Sequence, residues 1–151
     1  MPLSIPGASV TPAAVASALA SPGASASALS SAIGSLVQAQ LYYDISLYVA
    51  GKPNAGESLL RYPAASAYTV KAGLLNSVAS AVAAATGSSV FTLAKNGTQF
   101  GTITFGAGAT TSALAAAADT TFAAGDVLSM TGPATQDATL ADISFTIRAT
   151  H

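Results

Sequence analysis

Chemistry in a protein needs groups that move protons, attack carbonyls or hold metals, and this chain offers few of them. Its single histidine is His151, and its six acidic residues are Asp44, Glu57, Asp119, Asp126, Asp137 and Asp142. A Ser-His-Asp triad or a histidine general acid requires an imidazole positioned inside a site, so no catalytic residue is expected here. Hydrolysis of a polysaccharide would need two carboxylates facing each other across a cleft, and the sequence offers no candidate pair. Calcium would need clustered oxygen ligands, but the six acids lack the alternating acidic spacing of a calcium loop. Asp126 and Asp137 stand beside glycine and turn residues, where a carboxylate capping backbone N–H groups is the plainer expectation. Cysteine is absent, which removes disulfides and thiolate metal sites. Neither a metal nor a cofactor is expected. Gly106–Thr111 (GAGATT) lacks the lysine of a phosphate loop and reads as a turn. Asn96-Gly97-Thr98 matches a glycosylation sequon by letter, but Asn-Gly is first a turn former.

The remaining residues of interest are the tyrosines at 42, 43, 48, 62 and 68. Tyrosine combines an apolar ring with a polar tip and suits both protein interfaces and stacking on sugars. Tyr42 and Tyr48 are the candidates for a subunit interface or a glycan-binding face; packing within the protein is the alternative. Only 7% of residues are charged, against about 25% in an average soluble chain. A folded monomer of this size would show one charge per roughly 600 Å² of surface. With five Lys and Arg and a net charge of −1, the chain lacks the basic cluster that nucleic acid or an anionic membrane requires, and neither partner is expected. Every apolar run is interrupted by Ser, Gly, Pro or Thr, so no membrane-spanning helix is expected. Residues 1–43 contain no Lys or Arg to form the start of a secretory signal, and none is expected.

These residues fall in two segments of 151. Residues 1–40 are uncharged, rich in Ala and Ser, and punctuated by Pro2, Pro6, Pro12 and Pro22. Thr11-Pro12 and Ser21-Pro22 each place a capping hydroxyl before a proline suited to the first helical position, which predicts two short helices. Leu29, Ile33, Leu36 and Val37 follow at i, i+4, i+7 and i+8, a narrow apolar stripe with no charge opposite it. A low-complexity tail would have this composition. The stripe favours an arm that becomes ordered against sister subunits or a larger lattice.

From residue 41 the period changes to two. Tyr43, Ile45, Leu47 and Val49 alternate with Tyr42, Asp44, Ser46 and Tyr48, which predicts a strand. Further strands are expected at 58–62, 67–72, 77–84, 110–116, 126–131 and 140–149, with 77–84 open to a helix on alanine content. Between them, VFTLAKNGTQFGTITF (Val90–Phe105) predicts a β-hairpin turning at Asn96-Gly97. A two-residue loop pairs Lys95 with Thr98 and scatters the large residues over both faces. A three-residue loop, with Gly97 as a left-handed bulge and Ala94 paired with Thr98, puts Phe91, Leu93, Ile103 and Phe105 on one face and is the preferred register. Short strands at roughly 8–12 residue spacing imply an all-β antiparallel sandwich of jelly-roll kind over 41–151.

The Lys95–Thr98 hairpin (KNGT), the strand opening at Ala124–Leu128 (AGDVL) and the strand at Ala141–Ile143 (ADI) together resemble a β-sandwich pattern of tailed-phage virion proteins, in head-decoration and fibre proteins and in tail fibres. The resemblance covers about 41–150 and carries no catalytic residue. It implies a structural virion protein at the particle surface: a capsid decoration (cement) or head-fibre sandwich, associated as a homo-oligomer about a threefold axis and anchored by the arm to the major capsid protein or another virion protein. A tail-fibre module binding host surface glycans through the tyrosine face is the alternative. Tail-fibre features, a repetitive shaft or a second module, do not follow the sandwich in this sequence.

Overall fold

The alternation of apolar and polar residues after residue 41 produces ten strands in two antiparallel sheets. The computed structural model describes residues 42–151, together with Gly34. The strands are β1 (Tyr42–Val49), β2 (Ser58–Pro63), β3 (Tyr68–Val70), β4 (Val78–Ala83), β5 (Ser89–Lys95), β6 (Thr98–Phe105), β7 (Ser112–Ala116), β8 (Thr120–Phe122), β9 (Val127–Thr131) and β10 (Ala141–Thr150). One sheet has the order β1-β10-β3-β8, with β4 also pairing β10; the other runs β2-β9-β5-β6-β7. This is an all-β sandwich. Within residues 42–151 the helical piece is one irregular 3-10 turn at Ala72–Leu74, with Gly73 at φ 67°.

Period-two burial fills the space between the sheets. On β10, Ile143, Phe145, Ile147 and Ala149 are buried while Ser144 is exposed. From the other sheet come Phe91, Leu93, Ile103, Phe105, Leu128 and Met130, all essentially inaccessible. Burying each large apolar side chain is worth ~1.5–3 kcal/mol. Phe91 meets Phe105 and Phe145 edge to face, with ring centres 5.9 and 5.1 Å apart. Leu140 is buried just before β10, so the inward set expected at 140, 143, 145 and 147 is found.

The hairpin has a different register from the preferred one. Lys95 pairs with Thr98, so the loop is two residues, and Asn96 and Gly97 both have positive φ (48° and 85°), the backbone of a type I′ turn. The apolar residues nevertheless share the inner face. Ala94 pairs with Gln99 and Leu93 with Gly101, so Phe100 is an extra residue on β6, a β-bulge that restores the parity the tight turn would lose. Gly101 follows the bulge because a Cβ there would lie 2.9 Å from the carbonyl oxygen of Ala115 on β7.

Other expectations shift at their ends. The strand expected at 67–72 shrinks to Tyr68–Val70, and 110–116 begins at Ser112. β8 was not expected at all: it has three residues, of which only Phe122 is apolar, too few to show a period. Residues 77–84 form a strand, Val78–Ala83. The expected arm helices and the stripe of Leu29, Ile33, Leu36 and Val37 lie outside the described residues.

The left-handed backbone at Gly97 generates a prediction. Gly97→Val places a β-branched side chain at φ 85°, and the variant is expected to lose more than ~1 kcal/mol in denaturant unfolding. An unchanged midpoint would contradict the observed turn.

Candidate functional surface

Each acidic side chain has a local task. Asp137 accepts N–H bonds from Thr86 (3.0 Å), Gly87, Thr139 and Leu140 (2.9 Å each), joining the loop after β4 to the loop before β10. These four donors hold its carboxyl far below the usual carboxylate range. Asp126 accepts from the Ala123 N–H (2.8 Å) and the Asn96 side-chain amide (2.7 Å) and pairs with Lys95 at 3.0 Å. In that order these contacts bring it down to about 2. Asn96 also accepts the Val127 N–H at 2.8 Å, so the hairpin tip is tied to the start of β9. Asp119 is lowered by Lys71 and then by the Ala72 N–H. Glu57 caps the Asn54 N–H at 2.8 Å. Asp142, at φ 55°, accepts the Gly51 N–H and the Tyr48 hydroxyl. The capping expected of Asp126 and Asp137 is therefore present, and it extends to three acids that sequence reasoning did not assign, Glu57, Asp119 and Asp142.

The described residues include no group of three or more His, Asp or Glu placed to hold a metal. His151 puts Nδ1 2.9 Å from the Ala67 carbonyl oxygen and stacks at 4.9 Å on Tyr43. Tyr68 is buried against Phe122, with ring centres 4.6 Å apart, and its hydroxyl has no hydrogen-bond partner. Burial raises the Tyr68 hydroxyl well above the usual tyrosine value. A shallow groove along β6 and β7 is lined by Gln99, Phe100, Gly101 and Ala115 among others, none of them ionisable.

The outer face of the first sheet is different in character. Tyr42, Asp44, Ser46 and Tyr48 project from β1 and lie opposite Thr150, Arg148, Thr146 and Ser144 of β10. On the far side of β10, Val78 pairs with Thr146 and Ser80 with Ser144. Tyr48, Val78 and Val82 are 60%, 63% and 78% exposed, and Tyr42 is 43% exposed. β4 thus turns its valines outward and Ala79 inward. The reason is volume: Ala79 and Ala81 sit beside Phe145 and Ile143 in register, and those large side chains occupy the core. Asp44 and Arg148 neutralise each other on this face. Arg148 grips Asp44 through two 2.8 Å bonds, and its guanidinium lies 5.9 Å from the Tyr42 ring centre. The Asp142 carboxylate that accepts the Tyr48 hydroxyl raises that hydroxyl's pKa.

The structure therefore brings the candidates Tyr42 and Tyr48 to one face, while Asn96 and Gly97 form the turn. Val78, Val82 and Arg148 belong to the same face and were missed. The sequence does set valines against alanines at alternate positions of β4, but parity alone cannot say which set faces in. Exposed apolar side chains gathered on one face are the kind of surface that protein contacts use. Comparisons with protein-family models, curated proteins and solved structures find no match to this chain.

The lowered carboxyls set a pH dependence. A carboxylate with a depressed folded pKa contributes stability above its unfolded value, near pH 4, and loses it as pH falls through the folded value. The melting temperature is expected to fall between pH 4 and pH 2. Asp137→Asn should melt lower than the parent at pH 7 and fall less over that window; parallel curves would contradict the capping role.

Proposed function

We propose that this chain is a non-enzymatic structural virion protein, a capsid decoration or head-fibre component of a tailed phage. In this reading the sandwich associates with itself and residues 1–40 anchor it to the shell. The observation that carries the structural role is the outer face of the first sheet, where exposed Tyr42, Tyr48, Val78 and Val82 surround an internally neutralised ion pair. Such a face gains by being covered. The particle class rests on the resemblance carried by Lys95–Thr98, Ala124–Leu128 and Ala141–Ile143.

The fold reading becomes finer in the same way: we take the sandwich to be a jelly roll. The support is nesting. β1 pairs with β10, β2 with β9, β3 with β8 and β5 with β6, the ladders of one long hairpin folded over itself. β4 and β7 are additions at the corner, where the Ala81 N–H bonds the Thr110 carbonyl at 2.8 Å.

A glycan-binding tail module is favoured by a single feature, the Ser46, Ser144 and Thr146 hydroxyls beside Tyr48. Against it, the Tyr42 ring already lies by Arg148 and the Tyr48 hydroxyl is engaged by Asp142. The test is location and attachment. Deleting residues 1–40 is expected to leave a folded sandwich that no longer co-sediments with particles lacking the wild-type copy. Electron microscopy of particles carrying the full chain should show it over the capsid shell. Full binding by the truncation, or density confined to a tail tip, would contradict the reading.

A further inference from the structure

Sheet edges invite pairing, and folded proteins blunt them with short strands, prolines, basic residues, bulges or a covering segment. Most edges here are blunted. β2 carries Arg61 and Pro63 and a register shift between Ser58 and Leu60. β8 is three residues long. β7 is five residues long and has the Ala72–Leu74 turn packed against it. β4 gives its far side to Thr110 and Thr111. β1 differs from all of these. It is eight residues long, pairs with β10 in unbroken register from Tyr42 to Val49, and contains no Pro, Lys or Arg. Its one charge, Asp44, is held within the sheet by Arg148. Among the described residues no strand lies on its second side.

We infer that β1 is an interface strand that pairs antiparallel with β1 of a second copy across a two-fold axis, joining the two five-stranded sheets edge to edge. The inference deepens the self-association proposed above and rests on it. The occupant follows from self-complementarity. Two-fold pairing matches a strand to its own reverse, and the faces agree only when the paired residue numbers sum to an even value. Centred on Ile45, the register sets Tyr42 against Tyr48 of the other copy and Asp44 against Ser46. Tyr43 then faces Leu47 on the inner side. Aromatic meets aromatic on the outer face and neither Asp44 opposes its twin, which are the favourable choices for cross-strand neighbours. A self-pairing edge gives a two-fold contact, in place of the threefold arrangement implied by the resemblance.

The chain has no cysteine, so disulfide trapping can read the register. In the full chain, Tyr42→Cys together with Tyr48→Cys should yield a crosslinked dimer as the dominant species in a thiol redox buffer. Each single variant should remain at background, because a residue and its own copy are then about 20 Å apart along the paired strands, beyond the ~7 Å reach of a disulfide. Asp44→Cys with Ser46→Cys provides a second pair if the first disturbs folding. Light scattering of the native chain should give at least twice its 14.6 kDa mass. A monomer would overturn both the self-association and the pairing. An oligomer whose double variants crosslink no better than the singles would overturn the pairing alone. A chain that dimerises only after residues 1–40 are removed would mean that its own arm covers the edge, and would overturn it too.

Discussion

Phe145 lies between Phe91 and Phe105, with ring centres 5.1 and 6.4 Å away, and through this contact the two sheets become one molecule. Phe145 belongs to β10, the strand that pairs with β1, β3 and β4; its two partners belong to the hairpin at the heart of the other sheet. Truncating such a side chain in a closed core costs ~3–5 kcal/mol, because the cavity adds to the lost transfer energy. Phe145 also shapes the surface. Ala79 of β4 pairs with it on the inner side, and the valines of that strand point outward.

Charge follows the same logic. With so few ionisable groups, the molecule places them where backbone donors would otherwise go unsatisfied: Asp137 across two loops, Asp126 between the hairpin tip and β9, Asp142 at the end of β1. Carboxylates tied into local N–H groups are poor candidates for moving protons. They are good ones for holding loops still, and still loops keep the sheet edges in fixed positions. On the outer face Asp44 and Arg148 neutralise each other, and the Asp142 carboxylate accepts the Tyr48 hydroxyl. A surface with so few charges offers little long-range electrostatic attraction.

Much of this was legible in the sequence. Strict alternation in Tyr42–Val49 and Ile143–Ile147 gave two strands and their inner faces, and the turn residues around Asp126 and Asp137 gave the capping. The inner face of the hairpin was also legible, although its register was not. A tight Asn-Gly turn and a bulge at Phe100 together yield the same parity as a three-residue loop, and only the backbone separates the two. β8 is too short to carry a period. The outward turn of Val78 and Val82 depends on neighbours far away in sequence, as does the place of β1 at the end of its sheet among the described residues.

The central claim is that one core, organised by β10 and Phe145, holds the two sheets together and leaves Tyr48, Val78 and Val82 exposed on one outer face. Residue-resolved amide hydrogen exchange tests this most directly. The account predicts that the β10 amides from Ile143 to Ile147 are the slowest in the molecule and exchange only through global unfolding, while β2 and β7 open locally and exchange earlier. Exchange of β10 by local opening, at the rates of β2 and β7, would contradict it.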